Sequence, residues 1–397
     1  MKRLAILGST GSIGRQCLSV VESLPGRFAV VALAAGSNLP ELLAQIERHR
    51  PQLVSVADAQ KADELAALLR QKGTVSPTPS IHHGREGMLA AGTHADAEIV
   101  VSAAVGVVGL EATYEAIKLG KTIALSNKEV LVAAGELVMA AVEKSGKPLL
   151  PVDSEHNAVH QCLRTGQHGE VRRLVLTASG GPFRKTPLKD LAGVSVEQAL
   201  AHPNWRMGNR ITIDSATMMN KGFEVIEAHW LFGMRADQID VVVHPQSTIH
   251  SMVEYVDGSI LAQLGPTDMR MPIQYALTYP ERVASNQVAL DWGNLKRLDF
   301  EKVSTRRYPC LRLAREAMKK GGGLPCALNA ADEVAVEAFL EHRLPFLGIP
   351  EVIEHVLARM PRIKLTGMPD LLSADAEARR IAREEAAKLA ATAAAAS

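Results

Sequence analysis

The first 150 residues alternate short apolar runs with longer amphipathic segments, and few folds accommodate this alternation. The apolar runs are "LAILG" (4–8), "AVVALAAG" (29–36), "LVSVAD" (53–58), "AEIVVSAAVG" (97–106), "TIALSN" (122–127) and "PLLPVD" (148–153). Segments with helical spacing, such as "NLPELLAQIERHR", separate them. Strands that alternate with helices predict a Rossmann-type, doubly wound parallel sheet in an α/β protein. Ligands of such sheets bind at the carboxyl ends of the strands.

The pattern changes after about residue 170. "VRRLVLTAS" (171–179) predicts a strand, residues 218–232 predict a helix, and residues 247–265 predict a hairpin that turns at Asp257-Gly258. The sequence from about residue 308 is rich in Ala, Leu, Glu and Arg and predicts helices. We therefore expect a Rossmann-type domain at 1–153, a central α+β catalytic domain at 154–280, a linker at 281–307 and a C-terminal helical domain at 308–397.

Charge and cysteine content exclude several classes of protein. The 397 residues carry 44 Lys and Arg against 43 Asp and Glu, so no general field favours nucleic acid or an anionic membrane. The four cysteines form neither a CxxC pair nor a Cys/His cluster, which fits a reducing compartment. The sequence lacks a signal-peptide pattern at residue 1 and an apolar run of about 18 residues. We expect a cytoplasmic protein that binds neither nucleic acid nor a membrane.

"GSTGSIG" places Gly8, Gly11 and Gly14 directly after the first predicted strand and at the start of a predicted helix. Glycines there permit a tight turn and let backbone N–H groups approach a pyrophosphate at the helix N-terminus. The spacing is GxxGxxG rather than GxGxxG, so a purely structural turn is the alternative. The position at the first strand-to-helix junction favours a dinucleotide site.

The end of the second predicted strand indicates which dinucleotide binds. NAD-binding units carry an acid there that holds the ribose 2′-hydroxyl, whereas this chain has Gly36, Ser37 and Asn38. A carboxylate would repel a 2′-phosphate, but hydroxyl and amide groups donate hydrogen bonds to one. We therefore expect NADP(H).

"PVDSEHNA" (151–158) ends a predicted buried strand in two acids, Asp153 and Glu155. If the backbone stays extended, both side chains project to the same side and are able to share a cation. Ligation by oxygen alone favours a hard ion, Mg²⁺ or Mn²⁺. The alternative is that the acids cap a helix that begins in "HNAVHQCL".

A second group of polar side chains follows in residues 202–232. On a helix, Asn220 and Glu224 share a face, with Lys221 beside them. Ser215, Asn220 and Lys221 are donors that suit a phosphate monoester, and Glu224 is a third candidate metal ligand. The alternative for Lys221 and Glu224 is a solvated helix face.

Two further segments have compositions that suit a ligand site. "HPNWRMGN" combines His202, Pro203, Trp205 and Gly208, as expected of a mobile loop whose aromatic residue closes over a ligand. Packing in the core is the alternative for the tryptophan. "LSNKEVLV" places Asn127, Lys128 and Glu129 at another strand end, where a helix cap is the alternative.

Taken together, these segments resemble the 1-deoxy-D-xylulose 5-phosphate reductoisomerase family. Its members are NADPH-dependent enzymes that form 2-C-methyl-D-erythritol 4-phosphate in isoprenoid precursor synthesis. The resemblance covers nearly the whole chain and rests on "GSTGSIG", "SNKE", "PVDSEHNA", "SGGPF", "HPNWRMG", "DSATMMNKGFE", "HPQSTIHSM" and "RYPCL" in the family's order. Each of these motifs alone is weak evidence for the family, but all of them in the family's order are specific for it.

The resemblance implies roles for individual residues. Cofactor contacts fall on Thr10, Gly11, Ser12, Ile13, Gly36, Ser37, Asn38, Asn127, Glu129 and Gly208. The metal ligands become Asp153, Glu155 and Glu224. Substrate contacts fall on Lys128, Ser154, Glu155, Ser179, His202, Trp205, Ser215, Asn220, Lys221 and Glu224. Some members carry a basic residue at the position of Ser37, so we expect a smaller preference for NADPH over NADH here.

The resemblance also implies the partners: NADPH, one divalent cation (Mg²⁺ or Mn²⁺, with Co²⁺ as a further candidate), a small phosphorylated sugar, and a second copy in a homodimer. The expected catalytic residues are Lys128, Glu155 and Glu224, with Lys128 stabilising a developing alkoxide. One rival is another NADP-dependent dehydrogenase or semialdehyde reductase, which needs neither the ion nor the phosphate. The other is a non-catalytic cofactor sensor, which needs neither "PVDSEHNA" nor "NKGFE".

Overall fold

The computed structural model describes residues 1–73, 77–104, 106–205, 207–286 and 289–396, without the side chains of 107, 108 and 392–396. The chain forms two compact units. The first consists of Met1–Val130, Val138–Asn157 and Asp268–Val288, and the second of Leu131–Leu137, Ala158–Thr267 and Ala289–Ser397. None of the described helices has both the length and the apolar composition needed to cross a membrane.

Strands and helices alternate as far as residue 163. The strands are β1 (Lys2–Leu7), β2 (Phe28–Ala34), β3 (Leu53–Val56), β4 (Ser80–His83), β5 (Ile99–Ser102), β6 (Thr122–Leu125), β7 (Leu149–Pro151), β8 (Val171–Ala178), β9 (Ile239–Val243), β10 (Ile249–Tyr255), β11 (Ile260–Leu264) and β12 (Glu301–Lys302). The helices are α1 (Ser12–Ser23), α2 (Leu39–His49), α3 (Ala59–Lys72), α4 (Gly84–Gly92), α5 (Leu110–Lys118), α6 (Glu129–Ser145), α7 (Ser154–Leu163), α8 (Val196–Leu200), α9 (Asn209–Thr217), α10 (Met219–Phe232), α11 (Arg270–Thr278), α12 (Pro309–Lys320), α13 (Leu324–Leu340), α14 (Gly348–Arg359) and α15 (Met368–Ala396).

Within its described residues, the first unit contains a seven-stranded sheet in the order β4-β3-β2-β1-β5-β6-β7. Every pair in it is parallel. The order reverses between β1 and β5, so the carboxyl end of β1 lies at the switch point where such sheets bind ligands. The predicted parallel sheet and its six strands are confirmed. The sequence did not predict β4, because the polar run "SIHH" lacks the apolar signal of a buried strand.

Helix α11 returns from much later in the chain to complete the core of the first unit. Its residues Ile273, Ala276 and Leu277 are at most 1% exposed and join the apolar cluster formed by β1, α1 and α2. The amide of Asn157 fixes this return, since Nδ2 donates to the carbonyl oxygens of Pro151 at 2.8 Å and Pro272 at 3.3 Å. The part of the chain from residue 268 therefore supports the dinucleotide-type sheet.

The second unit contains a mixed sheet in the order β11-β10-β8-β9-β12. Leu174 and Leu176 of β8 are fully buried in one cluster with Val225 and Ala228 of α10. The predicted strand, helix and hairpin of this region are confirmed as β8, α10 and the antiparallel pair β10–β11. Helices follow from Pro309, also as predicted. The finer division into three domains and a linker stays a prediction.

Candidate active site

Two positions in the loop between β1 and α1 have space only for glycine. Gly8 has a φ of +86°, and a Cβ there would lie 2.5 Å from the carbonyl oxygen of Ala103. A Cβ at Gly14 would lie 2.3 Å from the carbonyl oxygen of Gly8. Helix α1 begins at Ser12 with Gly11 as its N-cap, so the N–H groups of the first turn are directed at whatever lies beyond that end. The geometry fits a diphosphate held by backbone N–H groups.

The end of β2 lies next to this loop, because β2 pairs with β1. Gly36 and Ser37 are exposed there. Asn38 caps α2, with Oδ1 accepting from the N–H of Glu41 at 3.3 Å. The three predicted adenosine-side residues therefore lie on the same sheet edge as the glycine loop. One of them also has a structural role.

The ends of β6 and β7 bring Lys128 and Asp153 together. The Nζ atom of Lys128 lies 2.5 Å from Oδ2 of Asp153. Asn127 is buried, and its Nδ2 donates to the carbonyl oxygen of Gly106 at 2.7 Å. Helix α6 begins at Glu129, directly after the lysine. The "SNKE" segment thus supplies both a helix start and a buried cation facing the first predicted metal ligand.

The electrostatics of Asp153 are set by opposing effects. Burial by itself would raise the pKa of its carboxyl. The ammonium of Lys128, together with His156, outweighs burial and holds the pKa of Asp153 well below its usual value. Asp153 is therefore an ionised carboxylate, the form that ligates a cation.

The extended backbone assumed for the two acids is wrong. Helix α7 begins at Ser154, and Oδ1 of Asp153 accepts from the N–H of Glu155 at 3.4 Å. The capping alternative is therefore correct for Asp153, which caps α7, while Glu155 lies in the first turn of this helix. Ser154 donates its hydroxyl to the carboxylate of Glu155. Two carboxylates at one helix start still form an oxygen-only donor set that fits a hard cation.

In the second unit, the loop after β8 packs against α9. Gly180 and Gly181 have φ values of +83° and +67°, and a Cβ at Gly181 would lie 2.7 Å from the carbonyl oxygen of Ser215. This close approach brings Ser179 into the same region as Ser215. The Oγ of Ser179 lies 2.9 Å from Nε2 of His202. Three of the predicted substrate contacts, Ser179, His202 and Ser215, are therefore grouped around one glycine turn.

Two further predicted substrate contacts, Asn220 and Lys221, lie in the first turn of α10. Lys221 is 3% exposed and Glu224 is fully buried, so the solvated-face alternative is wrong. Lys221 forms an ion pair with Glu224, and Nδ2 of Asn220 donates to Oε1 of Glu224 at 2.6 Å. Met218 has a φ of +65° and separates α9 from α10, which gives α10 an N-terminus of its own. A buried ammonium next to a helix N-terminus suits an anion.

The segment around Trp205 is attached to a neighbouring turn that the sequence did not identify as functional. Trp205 is half-buried, with its ring centroid 6.2 Å from that of His250. Asn204 donates from Nδ2 to the carbonyl oxygen of Pro245 at 2.5 Å. Gly208 is exposed and is the N-cap of α9. The structure thus adds Asn204 to the candidate residues.

The turn that Asn204 contacts begins with the same dipeptide as the segment before Asn204, but this repetition does not by itself indicate the contact. "HP" occurs at 202–203 and again at 244–245. His244 organises the second turn, since Nε2 accepts from the N–H of Thr248 at 3.2 Å and Nδ1 donates to the carbonyl oxygen of Asp299 at 2.9 Å. Its ring stacks on Phe300 with centroids 4.9 Å apart. His244 is a structural residue.

Comparison with known proteins gives consistent matches along the chain. Residues 4–135 match the family model described as 1-deoxy-D-xylulose 5-phosphate reductoisomerase. Residues 149–232 match the C-terminal domain model of the same name, and residues 264–381 match the one described as DXP reductoisomerase C-terminal domain. The 1-deoxy-D-xylulose 5-phosphate reductoisomerase of Solibacter usitatus is 52% identical over 385 residues, 97% of each chain.

Solved structures are similar over the same extent. The Zymomonas mobilis reductoisomerase in complex with NADPH is 42% identical, with a TM-score of 0.90 over 97% of this chain and 98% of that one. A DOX-P reductoisomerase in complex with NADPH, fosmidomycin and magnesium is 39% identical, with a TM-score of 0.91 and the same coverage. Together with the glycine loop, the paired acids and the buried lysines, these similarities establish that the chain belongs to the 1-deoxy-D-xylulose 5-phosphate reductoisomerase family.

Proposed function

We propose that this chain rearranges 1-deoxy-D-xylulose 5-phosphate and reduces the product with NADPH to 2-C-methyl-D-erythritol 4-phosphate, in the non-mevalonate route to isoprenoid precursors. The observation that carries the proposal is the buried Lys221 in the first turn of α10, with Ser179, His202 and Ser215 grouped around the turn at Gly181. A reductase for an unphosphorylated substrate has no need of such an anion site.

NADPH fits the first unit. The glycine loop ends at the N-terminus of α1, whose free N–H groups suit a diphosphate, and Ser37 and Asn38 offer donors rather than a carboxylate for the ribose side of the cofactor. The Zymomonas mobilis relative is solved in complex with NADPH. When bound, NADPH supplies the hydride for the reduction.

One divalent cation fits the carboxylates. We propose Asp153, Glu155 and Glu224 as its ligands. The donor set contains only oxygen, which favours Mg²⁺ or Mn²⁺, with Co²⁺ as a further candidate. A relative is solved with magnesium. When bound, such an ion acts as a Lewis acid toward substrate oxygens.

Other side chains have separate roles in binding and catalysis. Lys221, with Asn220, Ser215 and Ser179, binds the substrate phosphate, and this binding energy orients the reacting carbons at a distance from the phosphate. Lys128 holds a positive charge at the end of β6, where it stabilises negative charge that develops on a substrate oxygen. The loop that carries Trp205 excludes water when it closes over the substrate.

The active form is proposed to be a cytoplasmic homodimer. Strand β11 is the terminal strand of the second sheet. Ile260 and Leu261 of β11 are 55% and 37% exposed, and Val256 in the turn before β11 is 65% exposed. An apolar edge strand of this kind invites pairing with another chain, and a second copy would cover it. The four cysteines are buried free thiols, which supports a reducing compartment.

The test follows NADPH absorbance with 1-deoxy-D-xylulose 5-phosphate in Mg²⁺ or Mn²⁺, and again with excess EDTA. We expect oxidation that EDTA abolishes and that unphosphorylated 1-deoxy-D-xylulose does not support. If NADPH binds but is oxidised in neither metal, another NADP-dependent dehydrogenase or a semialdehyde reductase becomes the favoured function. Equal rates of NADPH oxidation with the phosphorylated and the unphosphorylated substrate would show that the assigned residues do not bind a phosphate.

A further inference from the structure

Helix α9 is attached to the C-terminal helices through one arginine. Arg210, in the first turn of α9, donates from Nη1 to Oε1 of Glu333 at 2.9 Å and from Nη2 to Oδ1 of Asn329 at 3.1 Å. Both partners lie on α13. Glu333 also accepts from Arg379 of α15. Three helices that are far apart in the sequence are therefore connected by one series of charged hydrogen bonds.

Two buried carboxyl groups lie next to the same guanidinium. Asp214, one turn further along α9, has Oδ2 3.7 Å from Nε of Arg210. Asp332 of α13 has Oδ2 3.5 Å from Nη2 of Arg210. The two carboxyl side chains are 6% and 0% exposed. Neither acid is among the residues assigned to the cofactor, the cation or the substrate.

The contact between these acids requires a proton. The carboxyl of Asp332 is hydrogen-bonded to that of Asp214, and an ionised carboxylate only accepts hydrogen bonds. One member of the pair must therefore be the neutral acid. No described group donates a hydrogen bond to either oxygen of Asp332, which makes Asp332 the more suitable neutral member. Burial, followed by the charge of Asp214, raises the pKa of Asp332 and favours the same form.

The ionisable groups around the pair add negative rather than positive charge. Among the described side chains that these contacts connect, two cations face four acids, namely Arg210 and Arg379 against Asp214, Asp332, Glu333 and Asp375. The thiol of Cys310, on α12, is neutral because burial raises its pKa. A proton on Asp332 removes one of the excess negative charges from this buried group.

We propose that Asp332 is a positioning residue that, as a neutral acid, donates its proton to Asp214 and thereby fixes α9 on α13 in the orientation that the reaction requires. For its effect on turnover, the inference rests on the proposed function. The protonation of Asp332 does not depend on that function. The C-terminal helices thus act on the reaction through α9, without contributing a group that touches the substrate.

A displaced α9 would affect the elements at both of its ends. Gly208, which follows the loop that carries Trp205, is the N-cap of α9. At the other end, α9 leads directly into α10, whose first turn carries Lys221. Misplacement of a reacting group by about 1 Å is enough to reduce a rate about 10²-fold. A buried contact that is remote from the reacting atoms is therefore able to control turnover.

Two substitutions of Asp332 distinguish a neutral donor from an anion. In Asp332→Asn, the neutral amide nitrogen still donates to Asp214, so the contact between α9 and α13 is kept. In Asp332→Ala, the hydrogen bond is lost. If Asp332 instead acted as an anion that pairs with Arg210, both substitutions would remove the charge and would impair the enzyme alike.

The kinetic experiment measures kcat and KM for 1-deoxy-D-xylulose 5-phosphate with NADPH and Mg²⁺ at neutral pH, together with a thermal melt of each variant. Asp332→Asn should keep kcat/KM close to that of the wild type. Asp332→Ala should lower kcat/KM about 10-fold or more. Glu354→Ala is the matched control, since Glu354 of α14 also connects two helices, with Oε1 2.9 Å from Nη2 of Arg312 on α12, but is 54% exposed; its kcat/KM should equal that of the wild type.

Infrared spectroscopy tests the proton without reference to activity. At neutral pH exposed carboxyls are ionised, so the difference spectrum between the wild type and Asp332→Asn should contain the carbonyl stretch of one protonated carboxylic acid. The difference between the wild type and Glu354→Ala should not contain it. This measurement remains decisive if Asp332→Ala fails to fold.

Equal losses of kcat/KM in Asp332→Asn and Asp332→Ala, normal kcat/KM in Asp332→Ala, or absence of the infrared band would each contradict the inference. Failure of the wild-type chain to oxidise NADPH with this substrate would instead overturn the proposed function, and with it the role of Asp332 in turnover. The infrared band would still show whether the acid pair holds its proton.

Discussion

The Nζ atom of Lys128 lies 2.5 Å from Oδ2 of Asp153, and each side chain is only 9% exposed. The two residues follow the neighbouring parallel strands β6 and β7, which is why residues 25 positions apart in the sequence meet. Burying a carboxylate without a compensating charge costs free energy. The ammonium of Lys128 compensates the charge of Asp153, so loss of either partner should destabilise this edge of the sheet.

Lys128→Met should destabilise the chain, because it leaves the Asp153 carboxylate buried without this cation. Breaking one partner of a buried pair costs about 3–5 kcal/mol of unfolding free energy, measured by denaturant titration at neutral pH. Lys61→Met is the control, since Lys61 lies 2.7 Å from Glu64 on the surface, where little change is expected. Equal stability of wild type and Lys128→Met would show that the pair contributes nothing.

Glu224→Gln should reduce turnover about 10³-fold, because it removes one negative charge from the proposed cation ligands. The chain should still fold, since an amide oxygen accepts from Asn220, but loss of the buried ion pair with Lys221 should lower its unfolding free energy. NADPH affinity should stay normal, as followed by cofactor fluorescence. Glu316→Gln, at a surface carboxylate of α12 that is 45% exposed, is the control. Near-normal turnover of Glu224→Gln in saturating Mn²⁺ would remove this residue from the ligand set.

Lys221→Ala should raise the KM for the phosphorylated substrate about 100-fold, because a charge-assisted contact to phosphate is lost. Inorganic phosphate should also inhibit the variant less than the wild type. Lys320→Ala, at the exposed end of α12, should leave both constants unchanged. A normal KM in Lys221→Ala would assign the phosphate to other donors.

Gly14→Ala should impair both folding and NADPH binding, whereas Gly36→Ala should fold normally. The added methyl at position 14 would lie 2.3 Å from a carbonyl oxygen, while at position 36 nothing lies within 4 Å. Overpacking of this kind costs about 1–3 kcal/mol or more. Thermal midpoints without cofactor measure the folding effect, and equal midpoints would contradict the tight turn.

Asp332→Asn should change how stability depends on pH. Burial, with Asp214 as the next cause, raises the pKa of Asp332 well above its usual value, although Arg210 opposes this with Nη2 at 3.5 Å. The folded state therefore keeps a proton that the unfolded state releases above about pH 4. Stability contributed by this group is full below that pH and is lost as the pH rises through the raised pKa.

The asparagine variant has no proton to lose at this site. Its unfolding free energy should fall less steeply than that of the wild type from about pH 4 upward. Asp237→Asn, at an exposed surface residue, should keep the wild-type slope. Identical slopes for Asp332→Asn and wild type would show that Asp332 is ionised throughout this range.

The sequence predicted the elements well because their signals are local. The glycine loop, the strand ends at Asn127 and Asp153, and the turn at Asp257-Gly258 all depend on residues close together in the chain. The period-two argument for Asp153 and Glu155 failed because helix capping by Asp153 competes with an extended backbone there. Each carboxylate was identified, but the backbone that presents it was not.

The remaining features depend on contacts between distant residues. Nothing near Asn204 indicates that its amide bonds to Pro245, 41 positions later. The burial of Lys221 likewise depends on α10 packing closely on α12, where a Cβ at Gly222 would lie 2.6 Å from that of Ala314. Charge and spacing alone favoured an exposed lysine. Such contacts appear only when the fold is assembled.

The return of α11 has a consequence for synthesis on the ribosome. Ile273 and Leu277 belong to the core of the first unit, so a nascent chain that has exposed only residues 1–157 carries an incomplete hydrophobic core. The dinucleotide-type sheet is therefore able to reach its native stability only after residues 158–267 of the second unit have been translated. Chaperones and proteases would meet a partly folded intermediate until then, and a fragment cut after β7 would aggregate rather than bind cofactor.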